Sequence, residues 1–286
     1  MNPNVAAFFD ARTSSLSYVV SEPDGPAAVI IDSVLDYDAA SGHSSTRSAD
    51  ELIALVREHR LEVSWILDTH THADHMTAMG YLEEQLGAPT GIGAGVARVQ
   101  ENFVRLYDIA GEVAADGSQF DYLFADGDVF PIGAMEGRVM AVPGHTPGCV
   151  AYIIGDAAFI GDTMFMPDSG TARCDFPDGD AAMLYRSIRR LLDLPGETRL
   201  YVCHDYQPEG RDLAYMATVG EHRRANIHVH DGIDEADFVA MRRERDATLS
   251  APVLILPAVQ VNIRAGRFPE PAKNGTRYLK IPLDTF

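Results

Sequence analysis

From Val63 to His75 the chain reads Val63-Ser64-Trp65-Ile66-Leu67-Asp68-Thr69-His70-Thr71-His72-Ala73-Asp74-His75. Val63 to Leu67 is short, apolar and rich in strand-forming residues, the signature of a buried strand. His70, His72, Asp74 and His75 follow directly. Packing alone disfavours such a cluster, because every buried polar group needs a partner. A loop just past a strand is free of ladder hydrogen bonds and can turn imidazoles and a carboxylate toward one point. These groups are the usual ligands of divalent zinc or iron. A metal site at one edge of a sheet is the expectation.

Three more residues share that context. His145 sits between Pro143-Gly144 and Thr146-Pro147-Gly148, Asp162 follows the apolar run ending at Ile160, and His204 follows Leu200 to Cys203. His43, His59, His222, His228 and His230 stand alone and read as ordinary polar residues.

Around these positions the chain falls into two blocks, each with strands first and helices after. Ser14 to Val20 and Ala27 to Ile31 flank the turn signal Pro23-Asp24-Gly25-Pro26 and read as a hairpin. Ser48 and Glu51 have capping-box spacing ahead of a helix to about Arg60. Helical patterns run to Leu86 and over Gln100 to Ile109. Four short strands follow: Val129 to Ile132, Arg138 to Val142, Val150 to Ile154 and Ala157 to Ile160. Ala181 to Leu194 and Glu235 to Leu249 read as helices. The tail from about Ala251 mixes apolar runs with proline and glycine. This is a layered α/β class, read as one domain over 1–286 with a C-terminal extension from about 251.

Composition narrows the function. The chain has 286 residues, 42 acids against 23 bases, and a formal net charge of −19. At 46% hydrophobic it can bury a sizeable core. The charge disfavours nucleic acid as a partner. The apolar runs are too short for a membrane span, and Met1-Asn2-Pro3-Asn4 has no secretion-signal character. Cys149, Cys174 and Cys203 are odd in number and form no disulfide framework. A cytoplasmic location is expected.

Thr69 to His75 resembles the HxHxDH signature of the metallo-β-lactamase superfamily, and His145, Asp162 and His204 occur in the order that superfamily shows. The resemblance implies an αββα sandwich with the metal site at one edge of its two sheets. In the generic two-metal pattern His70, His72 and His145 hold one ion, Asp74, His75 and His204 the other, and Asp162 bridges them.

Three further stretches resemble the persulfide dioxygenase family, which is similar in sequence to glyoxalase II. They are Gly161 to Phe176, containing Gly161-Asp162-Thr163-Met164-Phe165-Met166-Pro167-Asp168, then Cys203-His204-Asp205-Tyr206, and Gln260 to Gly266. That resemblance implies one Fe(II) per chain on His70, His145 and Asp162, a 2-His-1-carboxylate face. His72, Asp74, His75 and His204 then orient ligands and waters. The implied reaction adds O2 to the terminal sulfur of glutathione persulfide and releases sulfite and glutathione. Arg173 and Tyr206 match glutathione-contacting positions of relatives, with Asp175 orienting Arg173; the alternative for Arg173 is a surface ion pair with Asp175 or Asp178. A separate sulfurtransferase or sulfide-oxidising enzyme would act alongside. The tail would close over the site or build a homodimer interface. The competing implication is a glyoxalase II-like thioester hydrolase with two metals, zinc among them. A flavodiiron protein would carry glutamate where His72 stands.

Overall fold

Strand formation starts earlier than the expected hairpin. In the computed structural model, which describes residues 1–285, β1 (Asn4–Asp10) pairs antiparallel with β2 (Ser15–Ser21), and β2 with β3 (Ala27–Ile31). A short side sheet comprises β4 (Val34–Asp38), β5 (His43–Ser45) and, later in the chain, a two-residue strand at Met76–Thr77. Helix α1 (Arg47–Glu58) leads into β6 (Glu62–Leu67), which lies parallel to β3. After the Met76–Thr77 strand, β7, come α2 (Met79–Leu86), β8 (Thr90–Gly93), α3 (Val96–Tyr107) and β9 (Tyr122–Phe124). The first large sheet has the order β1-β2-β3-β6-β8-β9.

The second sheet opens with β10 (Val129–Ile132), β11 (Met135–Ala141), β12 (Val150–Ile154) and β13 (Ala157–Phe159). Helix α4 (Ala181–Leu192) carries the chain across to β14 (Arg199–Tyr201), parallel to β13, and β15 (Met216–Thr218) closes that sheet. Helices α5 (Val219–Ala225), α6 (Glu235–Asp246) and α7 (Ile255–Asn262) complete the chain. Among the described residues no helix is long and apolar enough to cross a membrane.

The alternation of strand side chains decides the layers. Tyr18, Val20, Val29 and Ile31 point inward and meet Phe130, Val139, Tyr152 and Phe159 of the second sheet. Val19, Ala28, Ile30 and Ile66 face the other way and bury Leu52, Ile53 and Val56 of α1 and Leu82 of α2. On the far side of the second sheet, α4 buries Leu184, Ile188 and Leu191, spaced as one helical face. Each such side chain contributes about 1.5–3 kcal/mol on burial. Helix, sheet, sheet, helix is the αββα sandwich.

One local expectation is corrected. The capping box is not at Ser48 and Glu51: α1 starts at Arg47 without a side-chain cap. Ser48 instead gives its N–H and hydroxyl to the buried Asp36 carboxylate, at 2.9 and 3.1 Å. A capping box does form at Thr218 and Glu221, on α5. The tail, for which no element was expected, contains α7. Ala258 and Val261 of α7 join the α1–α2 layer, while Ile255 and Val259 pack on Val99, Phe103 and Tyr107 of α3.

Candidate metal centre

The candidate metal ligands lie in loops that follow strands of one sheet or the other. The loop after β6 is tied to both sheets. Thr69 N–H donates to Asp32 Oδ1 at 2.7 Å, Val150 N–H to Thr69 O at 2.9 Å, and the Tyr152 hydroxyl to Asp68 O at 2.9 Å. His145 lies in the turn between β11 and β12, where Gly144 has φ +140° and a Cβ would strike the α4 backbone at Leu184. Only glycine lets that turn approach so closely. Asp162 lies in a short 3-10 turn after β13, and His204 follows β14 and bridges to Ser15.

His70, His145 and Asp162 come together. One ligand atom from each lies within 4.8 Å of the others. His70 Nε2 and His145 Nε2 stand 4.0 and 3.8 Å from Asp162 Oδ2. Both rings are anchored through their other nitrogen. His145 Nδ1 donates to the Arg173 carbonyl at 2.8 Å. His70 Nδ1 lies 3.0 Å from Thr69 Oγ1, whose hydroxyl reaches Asp32 at 2.9 Å. Binding the outer nitrogen leaves Nε2 with its lone pair on the shared point, the tautomer a metal requires. Burial, reinforced by the neighbouring histidines, holds the His70 pKa well below the usual range, so that ring is neutral.

The remaining residues form a second group beside the first. His72, Asp74 and His75 offer ligand atoms within 4.8 Å of one another. His72 Nε2 is 3.2 Å from Asp32 Oδ1, and His75 Nδ1 is 3.1 Å from Ser15 Oγ. His204 Nε2 stands 2.9 Å from Asp74 Oδ2 and 3.4 Å from Asp162 Oδ1. Burial alone would lower the His204 pKa, but the Asp162 and Asp74 carboxylates outweigh it and push it up to about 10.

The donor set fits a divalent cation. Asp162 Oδ1, His72 Nδ1, His75 Nε2 and His204 Nε2 are buried without a hydrogen-bond partner. Leaving such groups unpaired costs about 1–3 kcal/mol each, which a cation removes. Burial pushes the Asp162 carboxyl up. A positive ion beside it would restore the charged form.

A cavity of about 1000 Å³ opens onto this point, lined by Asp74, His145, Asp162, Phe165, Arg173 and Tyr206 among others. Arg173 and Asp175 pair through two hydrogen bonds of 2.6 Å, and Arg173 Nη1 donates to Ser250 O at 2.7 Å. Asp178 is held by Arg98 instead. Tyr206 is 54% exposed and stacks on His204 at 5.8 Å.

Two contributors escaped the sequence reading. Asp32, 2% exposed, supports both His70 and His72. Asn262 of α7 donates to His72 O and His75 O, both at 2.8 Å, and accepts from Thr77 N–H at 2.9 Å. The position of Asp32 at the end of a strand was the available signal for the first. For the second only the Gln260 to Gly266 resemblance pointed to the region.

The model of the Metallo-beta-lactamase superfamily matches residues 11–204, so the chain belongs to this superfamily of metal-binding hydrolases and their relatives. Within it, the chain is 53% identical over 290 residues to a Burkholderia pseudomallei protein named "Probable metallo-hydrolase", covering 98% of this chain and 99% of that one. It is 53% identical over 282 residues to the beta-lactamase hydrolase-like protein of Xylella fastidiosa, covering 99% of this chain but 65% of that protein's length. It is 30% identical over 261 residues to the mitochondrial persulfide dioxygenase ETHE1 of Bos taurus, covering 90% of this chain and 87% of that one. The crystal structure of ETHE1 from Myxococcus xanthus superposes with a TM-score of 0.74 at 29% identity, over 92% of this chain and all of that one.

Proposed function

We propose that the protein is a glutathione persulfide dioxygenase using one Fe(II) held by His70, His145 and Asp162. The observation that carries this reading is the face itself: ligand atoms of His70, His145 and Asp162 lie within 4.8 Å of one another. Beside it, His204 Nε2 lies 2.9 Å from Asp74 Oδ2. The 30% identical relative named persulfide dioxygenase supports the same choice.

The overall reaction consumes one glutathione persulfide, one O2 and one water, and yields glutathione, sulfite and two protons. The outer sulfur is oxidised, dioxygen is reduced, and the sulfur–sulfur bond breaks. When bound, the iron supplies open coordination positions and the electrons that activate dioxygen. The chain's own residues do the rest. The Arg173 carbonyl and Thr69 hydroxyl keep His145 and His70 in the ligating tautomer. His204 stands beside Asp74 and Asp162, and its positive charge opposes the upward push of burial on the Asp162 carboxyl. Phe176 lies edge-on to His145 at 5.1 Å, and Phe165 edge-on to Tyr206 at 5.4 Å. Those rings limit bulk water at the face, and Tyr206 offers a hydroxyl to the substrate at its rim.

A second reading is a glyoxalase II-like hydrolase with two metals. The unpartnered His72 Nδ1 and the hydrolase names of the more similar relatives favour it. Protein purified without oxygen decides between them. We expect about one iron per chain, with oxygen uptake and sulfite release on glutathione persulfide. Two metals per chain, with thioester hydrolysis and no oxygen uptake, would establish the hydrolase.

A further inference from the structure

Four arginines line the cavity: Arg12, Arg173, Arg242 and Arg245. Two are engaged inside the protein. Arg173 is held by Asp175 and the Ser250 carbonyl. Arg242, 1% exposed, donates to Asp246 at 2.8 Å and to Thr171 O at 3.0 Å. Arg12, in the turn joining β1 to β2, and Arg245, in the last turn of α6, are exposed. Among the described residues neither side chain takes part in a hydrogen bond or an ion pair.

The acids lining the same cavity are Asp38, Asp74, Asp162 and Asp168, and all have work elsewhere. Asp38 accepts from Ala40 N–H, Ser41 N–H and the Ser41 hydroxyl. Asp168 is paired with Arg211, and Asp74 with His204. Asp162 belongs to the metal face. A chain of net charge −19 thus keeps two arginines without a hydrogen bond or ion pair in the cleft that leads to its metal centre, where the one carboxylate with an unpartnered oxygen is Asp162 of the metal face itself. Low-dielectric walls focus such a potential and draw in an anion.

We propose that Arg12 and Arg245 are the anion contacts of the substrate, one for each terminal carboxylate of glutathione persulfide. This rests on the substrate assigned above. The tripeptide carries a carboxylate at each end and its reactive sulfur on the middle residue. Two cations on separate elements around one cavity suit that layout, and each can bind a carboxylate through paired N–H groups. Arg173 acts here as a brace: its carbonyl holds His145 and its guanidinium holds the loop.

The test uses the metal-loaded enzyme and two substrates, glutathione persulfide and the persulfide of glutathione diethyl ester, which lacks both carboxylates. Arg12→Ala and Arg245→Ala should each raise KM for glutathione persulfide by about 10-fold or more, with metal content at the wild-type level. KM for the diester should be the same in wild type and variants, and the Lys variants should recover part of the loss. Calorimetric binding of glutathione itself gives a readout free of turnover. Weakened glutathione binding in the variants, in a wild type that does not oxidise the persulfide, would uphold the anion site and sink the dioxygenase reading. An unchanged KM in both alanine variants, an equal rise on the diester, or no glutathione binding by wild type would overturn the proposal.

Discussion

Asp32 does for His70 what the Arg173 carbonyl does for His145: it fixes, here through the Thr69 hydroxyl, which ring nitrogen faces the metal. The same carboxylate also takes Thr69 N–H and stands 3.2 Å from His72 Nε2. Asp32→Asn puts an NH2 donor among these donors and removes the charge. Metal affinity of the folded protein should then fall by about 10–100-fold, the usual effect of losing a residue that orients ligands. A titration of iron or zinc against a competing chelator measures this, and wild-type affinity in Asp32→Asn would refute the role. The seven ligand candidates were legible because their side-chain chemistry clusters next to apolar runs. Asp32 was not picked out, because its place at the end of a strand is a weak signal for one aspartate among 42 acids until the fold brings it to Thr69, 37 residues away.

Helix α7 shows the corresponding limit for elements. No helix was expected in the proline-containing tail, yet α7 forms there with Pro257 as its third residue, in the first turn, where its missing N–H has no helical partner to lose. The misplaced capping box on α1 has a similar origin: Asp36 offered Ser48 a better partner than its own helix. The second sheet, by contrast, was largely legible, because buried strands announce themselves by apolar runs; of the first sheet only β2, β3 and β6 were read, and β1, β8 and β9 were not. The position of α7 gives the C-terminal segment a task, since Asn262 holds the backbone between His72 and Thr77 from the helix side. Asn262→Asp keeps the acceptor for Thr77 N–H but sets an anion against two carbonyl oxygens. It should weaken metal binding by about 10-fold or more. Ile255→Ala, on the face of α7 packed against α3, is the comparison. It should cost about 2–5 kcal/mol of stability and leave metal affinity of the folded protein near wild type. Equal loss of affinity in both, measured by chelator competition below each variant's Tm, would reduce Asn262 to a packing role.

At the scale of the whole molecule, acid is the condition that tests how the parts are joined. His222 and His228 lie on and just after α5, away from the metal ligands, and link that region to the loop carrying Arg173. His228 Nδ1 accepts Thr171 N–H at 3.0 Å, and His222 Nδ1 faces Asn226 Nδ2 at 3.2 Å. Protonation would set an N–H against another N–H at both places. Burial pushes His222 down to about 4. Burial, aided by Arg242 and Arg245, takes His228 to about 4 as well. The unfolded chain binds these protons near the ordinary histidine value of about 6.5. Between pH 6.5 and 4 it therefore holds more protons than the folded chain, and stability falls as pH drops through that window. The limiting slope is about 1.4 kcal/mol per pH unit for each histidine. His70 and His72, also shifted well down by burial, add to the fall in the metal-free protein. His204 does not, because a pKa raised to about 10 leaves its contribution intact below about 6.5 and removes it only as pH rises toward 10. The contribution of the α5 region is isolated by the variant His222→Gln/His228→Gln, with Tm followed from pH 7.5 to 5 for both metal-free proteins. The variant should be the less stable at pH 7.5, since glutamine fits neither site as well, and the gap should narrow or reverse by pH 5. A gap that stays constant over this range would show that these two histidines do not take up protons on unfolding.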